Sequence, residues 1–341
     1  STSLKRKEDM LNAIVNELLL RKDELSNEKI ETIYFGGGTP SILLIEELQQ
    51  LVEVIYKNYN VVDNAEITLE ANPDDLSTEK VKELANSPIN RLSIGVQSFF
   101  DDDLKFMNRA HTSSEAENSI KNAQNAGFDN ITIDLIYGIP NSNNQKWLAN
   151  LQRAFQLNVP HISSYALTVE EKTALHSFIK KGKVIPVDEE IALQQFNILV
   201  DETKKQGYIQ YEISNFGKPD YFSKHNTSYW LGKKYLGIGP SAHSFDKENR
   251  SWNISNNIKY IKSINQNRLP QTIEKLSIND LYNEYVMTGL RTIYGVSLQK
   301  ITTDFGVAYK DYLLTQSKIY LEKELLFLNN QLHFQHCHKQ S

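Results

Sequence analysis

The chain has 341 residues, 40% of them hydrophobic and 23% charged, and a formal net charge of −5. That length fits a large domain plus a smaller one, with enough apolar residues for a packed core and no sign of bulk disorder. A mild acidic balance without a basic run argues against nucleic-acid partners, and the apolar stretches are broken well short of a bilayer span.

There is no signal-peptide pattern, and Cys337 is the one cysteine, so no disulfide framework exists and the cytoplasm is the expected compartment. An α/β rhythm then runs along the chain. Met10, Leu11, Ile14, Val15, Leu18 and Leu19 make one helical face, and residues 32–35 read as a buried strand ended by three glycines. Leu44, Leu48, Leu51, Val52 and Ile55 mark the next helix. Further strands are expected at residues 67–70, 91–94, 131–136, 163–167 and 209–213. Between them lie helical stripes such as Ala116, Ile120 and Ala123, and Leu193, Phe196 and Val200.

Strand–helix units in series predict a parallel sheet covered by helices, either an open doubly wound sheet or a barrel. Glu70, Gln97 and Asp134 lie in or just after apolar strand runs, where a barrel gathers its strand ends at one mouth. That favours a barrel or partial barrel. After about residue 245 the rhythm changes. Residues 253–264 read as polar, loop-like or weakly helical. Residues 277–290 read as a helix with Leu281, Tyr285 and Leu290 inward, and residues 294–332 as short helices with a small hairpin.

Several short stretches carry chemistry. In Tyr34-Phe35-Gly36-Gly37-Gly38-Thr39-Pro40-Ser41, glycines at a strand end let backbone N–H groups approach a ligand, and Thr39 adds a hydroxyl. The stretch lacks the lysine of a Walker loop and the G-x-G-x-x-G spacing, and a plain tight turn is the alternative. Glu70 ends a strand, where a glutamate is ordinarily solvated or capping. Gln97 could be a turn residue and Arg109 a surface residue. Asp134 sits among apolar strand residues and, if buried, needs a partner.

Together and in this order, these pieces resemble the radical-SAM proteins of the oxygen-independent coproporphyrinogen III oxidase-like family, the HemN/HemW group, over nearly the whole chain. The resemblance implies an α/β fold with a partial (β/α)6-type barrel over residues 1–245 and a smaller, mostly helical C-terminal domain over residues 246–341. It implies S-adenosyl-L-methionine (SAM) contacts at Gly37, Gly38, Thr39, Glu70, Gln97, Arg109 and Asp134. Carboxylates suit the ammonium and ribose hydroxyls, and Arg109 suits the SAM carboxylate. The family's C-x-x-x-C-x-x-C motif, which holds a [4Fe–4S] cluster, is absent from the sequence, and Cys337 cannot replace it. The chain opens Ser1-Thr2-Ser3 and ends on a polar tail, so it reads as a fragment with that motif expected immediately upstream. As it stands it is expected to perform no reductive SAM cleavage.

His225-Asn226-Thr227-Ser228-Tyr229-Trp230 matches the H-N-x-x-Y-W pattern that the HemW branch uses in haem binding. A neutral imidazole at His225 can ligate haem iron, and Tyr229 and Trp230 offer flat surface to a porphyrin. The resemblance thus implies a haem chaperone delivering haem to a cytochrome or respiratory haem-protein acceptor, without nucleic acid or an integral membrane segment; a homodimer stays open. The alternative is an oxygen-independent coproporphyrinogen III oxidase, against which the H-N-T-S-Y-W stretch argues. A scaffold on a degenerate barrel is a third reading, opposed by the intact SAM set. Residues 237–244 resemble the family's glycine-rich turn closing the barrel domain, with His243 a lesser site candidate. His333, His336, Cys337 and His338 could bind metal or haem adventitiously or form a tail.

Overall fold

The structure, a computed structural model, describes residues 6–25, 28–140, 142–169, 171, 173–329 and 333–336. In chain order its elements begin with α1 (Lys7–Leu20), β1 (Ile30–Phe35), α2 (Ile45–Asn58), β2 (Val61–Ala71), α3 (Thr78–Ala85), β3 (Arg91–Gln97), α4 (Asp101–Phe106) and α5 (Ser113–Asn125). They continue with β4 (Ile131–Tyr137), α6 (Asn144–Gln156), β5 (His161–Ala166), α7 (Ala174–Lys180), α8 (Glu189–Lys205), β6 (Ile209–Glu212), β7 (Asn215–Gly217) and α9 (Lys224–Trp230). The last are β8 (His243–Phe245), β9 (Asn249–Asn253), α10 (Asn257–Ile264), β10 (Gln271–Lys275), α11 (Ile278–Gly289), β11 (Val296–Ser297), α12 (Leu298–Asp304), α13 (Val307–Glu322), β12 (Leu326–Leu328) and β13 (His333–His336). Contacts divide the chain into two units, one of Ser1–Glu31, Gln50–Ala65 and Ser223–Ser341, the other of Thr32–Gln49 and Glu66–Phe222.

In the second unit, a seven-stranded sheet runs β1-β2-β3-β4-β5-β7-β6. The pairs β2–β3, β3–β4 and β4–β5 are parallel, with registers such as Glu70↔Ser93, Thr132↔His161 and Asp134↔Ser163. Alternation along these strands separates two faces. Ile67, Leu69, Leu92, Ile94, Ile131, Ile133 and Leu135 are fully or almost fully buried on one of them. The other carries Glu66, Thr68 and Glu70, then Arg91 and Ser93, then Thr132 and Asp134, then His161 and Ser163. A parallel sheet packed on both faces reads as continuous apolar runs; here one face is largely polar, with Ile136 an exception. The expected sixth strand forms as β6, but β7 lies between it and β5 and pairs antiparallel with both. Three residues ending in glycine leave no periodicity to read.

Helix starts follow capping chemistry. Thr112 and Glu115 form a capping box at α5, and Ser77, Asn143 and Asp188 cap α3, α6 and α8. The stripe expected on α8 is rotated: Gln195, Leu199 and Thr203 are buried while Leu193 is 60% exposed. Polar contacts decide this. The Gln195 side-chain oxygen accepts from the Gly138 N–H at 2.7 Å, and its main-chain carbonyl accepts from the Trp147 indole at 2.8 Å. A buried amide with such partners outweighs a leucine left in water.

In the first unit, residues 253–264, expected as loop-like or weakly helical, hold the capped helix α10, with Tyr260, Ile261 and Ile264 buried. Two small antiparallel sheets, β10-β9-β8 and β11-β13-β12, accompany the helices. Tyr282 of α11 packs with Val296, Leu298, Ile301 and Leu313 in a core of its own. On α1 the buried residues are Ala13, Glu17 and Leu18, and Leu19 of the expected face is 43% exposed. The Glu17 carboxylate is fully buried and accepts from Arg21, the Gly239 N–H, Asn253 Nδ2 and Tyr260 Oη at 2.5–3.1 Å. Arg21 donates in turn to the Gly237 carbonyl and Ser244 Oγ. Gly237 is required there, because a Cβ would lie 2.1 Å from the His243 carbonyl oxygen. Residues 237–244 are thus held by a buried ion pair.

Removing one member of such a pair leaves the other charge uncompensated. Glu17→Ala should lower stability by about 3 kcal/mol, read as a shifted midpoint in chemical denaturation. An unchanged midpoint would show that the network is not structural.

Candidate functional site

The glycine loop follows β1. Gly37 and Gly38 have φ of 74° and 75°, a left-handed backbone that favours glycine. Gly36 is needed for space, since a Cβ there would come within 2.5 Å of the Tyr34 ring and 2.9 Å of Glu70 Oε1. The Tyr34 hydroxyl donates to Glu70 Oε1 at 2.8 Å, and the Gly37 N–H donates to Glu70 Oε2 at 3.0 Å. Glu70 therefore ties β2 to the loop, and each oxygen keeps a further lone pair. The Thr39 side chain is half-buried and makes no hydrogen bond among the described residues.

Gln97 is the last residue of β3 and has φ of 66°, uncommon outside glycine. The β3–β4 register slips between Ile94 and Gln97, a bulge that re-aims the side chain. Its amide nitrogen would come 3.0 Å from a Cβ on Gly95, so Gly95 makes room for it. Beyond it, the Asn150 side-chain oxygen accepts from the Phe99 N–H at 2.7 Å, and Ser98 Oγ donates to Asp103 at 2.8 Å. Arg109 follows α4 through Asn108 at φ 54°, with its N–H on the Leu104 carbonyl. The half-buried Arg109 side chain makes no ion pair among the described residues.

Asp134 lies on β4, close enough to Glu70 and Arg109 to feel their charges. It is half-buried, with no hydrogen bond among the described residues. Burial, then the charge of Glu70, pushes its pKa up to about 7, while Arg91 and Arg109 oppose the shift. Burial first, and then the Glu70 carboxylate, also raises Tyr34 far above the usual phenol range. Residues missed from the sequence surround this group. Tyr165 lies opposite Ile136 in register, and burial, with Asp134 next, pushes it up to about 12. Arg91, 2% exposed, donates to Thr132 Oγ1, which meets His161 Nδ1 at 3.0 Å; His161 Nε2 meets the Tyr211 hydroxyl at 2.8 Å. Burial, then the Arg91 charge, holds His161 well below its usual pKa. Period-two parity from Glu70 and Asp134 was the signal that could have found these partners.

The His225 stretch forms α9, capped by Ser223 Oγ accepting from the Asn226 N–H at 3.2 Å. His225 and Tyr229 are one turn apart with rings 4.9 Å between centroids and edge-on. Tyr229 in turn meets Tyr235 at 4.5 Å, and Tyr235 meets Phe245 at 6.1 Å. His225 and Trp230 are half-buried and Tyr229 is exposed. His243 is exposed and stacks on Trp252 at 5.9 Å beside an open cavity of about 490 Å³. Cys337 and His338 lie outside the described residues, and His333 Nδ1 meets the Tyr294 carbonyl oxygen at 3.2 Å. Among the described residues, no cluster of three or more His, Cys, Asp or Glu could hold a metal ion, and no helix is long and apolar enough to cross a membrane.

The parallel sheet with a glycine loop at a strand end is a half-barrel of the radical SAM class, and the family model described as Radical SAM superfamily matches residues 5–154. The solved structure of coproporphyrinogen III oxidase (HemN) from Escherichia coli has a TM-score of 0.83 at 21% identity, covering 98% of this chain and 81% of that one, which shows the shared fold. The protein of Lactococcus lactis subsp. lactis (strain IL1403) named Heme chaperone HemW is 33% identical, over 94% of this chain and 84% of that protein. Its namesake from Bacillus subtilis (strain 168) is 33% identical over 94% and 85%. The chain belongs to the HemW family.

The raised pKa of Asp134 has a signed consequence. Between about pH 4 and 7 the folded chain holds a proton that the unfolded chain has lost, so stability falls as pH rises through this window and levels above it. Asp134→Asn should remove that component, at most about 1.4 kcal/mol per pH unit, and be more stable than the parent at pH 8. Denaturation midpoints that run parallel in both chains from pH 5 to 8 would contradict this.

Proposed function

We propose that this protein binds haem as cargo at α9 and delivers it to a cytochrome or other haem-protein acceptor, with SAM held at the polar strand ends. The carrying observation is the helical turn that presents the His225 imidazole against Tyr229, continued by Tyr235 and Phe245. A neutral imidazole donates a lone pair to haem iron, and flat rings supply apolar surface for a macrocycle. The similarity to proteins named haem chaperones, along 94% of the chain, supports the same cargo. The porphyrinogen-oxidase alternative draws support from the shared HemN fold, which is common to both readings.

The strand-end residues fit SAM chemically. Gly37 and Gly38 expose backbone with open space where a Cβ would lie, and Asp134 retains unused acceptors. Glu70 would take the ammonium, Asp134 the ribose hydroxyls, Arg109 the carboxylate, and Thr39 and Gln97 the remaining polar edges. SAM bound there would supply a sulfonium carbon–sulfur bond open to reduction. The sequence holds a single cysteine, so the residues of this chain do not fit a [4Fe–4S] cluster.

Haem titrated into the chain and into His225→Ala should give a shifted Soret band and about tenfold weaker binding in the variant. Identical spectra and affinities would remove His225 as the ligand. For the second site, Arg109→Ala and Asp134→Ala should each weaken SAM binding by about tenfold or more in calorimetry; affinity unchanged in both would remove the SAM assignment.

A further inference from the structure

The turn that ends β3 is fastened by a side chain from outside the strand. The Ser98 N–H donates to the Val96 carbonyl at 2.9 Å, and Gln97 between them has φ of 66°. A three-residue turn closed by such a bond around a positive φ is the rare, strained form of the γ-turn. The same Val96 carbonyl oxygen lies 3.1 Å from His111 Nε2. A carbonyl only accepts, so Nε2 carries the proton and donates. His111, Val96, Gln97 and Ser98 are all buried, where a carbonyl takes its donors from the protein.

His111 is itself fixed from both sides. Two residues earlier, the Arg109 N–H donates to the Leu104 carbonyl at 2.9 Å. On the other side Thr112 caps α5 with Glu115, and the Ser113 N–H donates to Asp101 Oδ1 at 2.8 Å. The turn also has a direction. The Gln97 amide nitrogen lies where a Cβ on Gly95 would come within 3.0 Å of it. Gly95 and Ser93 continue from Arg91 by period two, and Ser93 stands opposite Glu70 in register. The amide is therefore turned back over the polar face that carries Glu70. An ordinary backbone at Gln97 would relieve the strain and move that amide.

We propose that His111 is a positioning residue, whose hydrogen bond to the Val96 carbonyl holds the strained turn that aims the Gln97 amide at bound SAM. The inference rests on the SAM reading of the strand ends. In this role the imidazole acts through Gln97 and touches no ligand.

The test combines SAM calorimetry with amide hydrogen exchange in the parent chain, His111→Leu, His111→Gln, Gln97→Ala and the His111→Leu, Gln97→Ala double variant. His111→Leu is expected to bind SAM about tenfold more weakly and to speed exchange of the Ser98 N–H by about tenfold or more. His111→Gln, whose amide nitrogen can reach the place of Nε2, should restore both. The double variant should bind SAM no more weakly than Gln97→Ala alone, because the histidine acts through that glutamine. SAM affinity or Ser98 exchange unchanged in His111→Leu, no recovery in His111→Gln, or losses that add in the double variant would each overturn the inference. Additive losses are what a merely structural histidine gives. Those outcomes leave the SAM reading standing, whereas no saturable SAM binding by the parent chain would remove that reading and the inference with it. Should His111→Leu not fold, His111→Asn, whose shorter amide does not reach the carbonyl, takes its place in every comparison.

Discussion

Glu66, Glu70 and Asp134 share one face of a parallel sheet with the buried guanidinium of Arg91. Carboxylates in a low-dielectric interior are costly unless a charge or donor answers them. Arg91 lies 3.9 Å from Glu66 and also lowers the pKa of Asp134 and opposes the ionisation shift of Tyr34. From it a chain of contacts through Thr132 and His161 to Tyr211 crosses the sheet. His161 can sit there because it is held neutral, and it would otherwise add a second positive charge beside the guanidinium. The polar face is therefore a connected arrangement rather than scattered exceptions to apolar packing, and it leads at the strand ends to Glu70, Gln97 and Asp134.

At those ends two carboxylates act on each other. Glu70 has donors in Tyr34 and Gly37, whereas Asp134 has none among the described residues and is the group whose ionisation is displaced. A bulge and a left-handed backbone at Gln97, and glycines at 37 and 38 with positive φ, cost conformational energy. Such features concentrate where a ligand must be approached closely. Glu17 performs a different task in the first unit. Its four donors come from the C-cap of α1, the 237–244 turn, β9 and α10, so one carboxylate joins segments far apart in sequence. It also fixes the orientation of Asn253, whose Nδ2 donates to it and to the Gly239 carbonyl.

The alternation of strand and helix, the glycine turn, and the order Glu70, Gln97, Arg109, Asp134 were legible in the residues because each is a local pattern or a spaced motif. The His225 and Tyr229 pairing follows from i, i+4 spacing once α9 is placed. What could not be read were features set by distant partners. The orientation of α8 depends on hydrogen bonds from Gly138 and Trp147 to Gln195. β7 depends on pairing with β5 and β6, and α10 on burial of Tyr260 against α1. Hydrophobic periodicity assigns a polar residue to the outside, and so it passes over Glu17, Gln195 and Arg91. By itself the sequence determined the strand–helix alternation from β1 to β5, the family motif and the chemical types at those strand ends. Only the tertiary structure decided which polar groups are buried, which of them have partners and which, like Asp134 and Asn253, are left with an acceptor unused, because desolvation and hydrogen bonding depend on neighbours that the chain brings together from far apart.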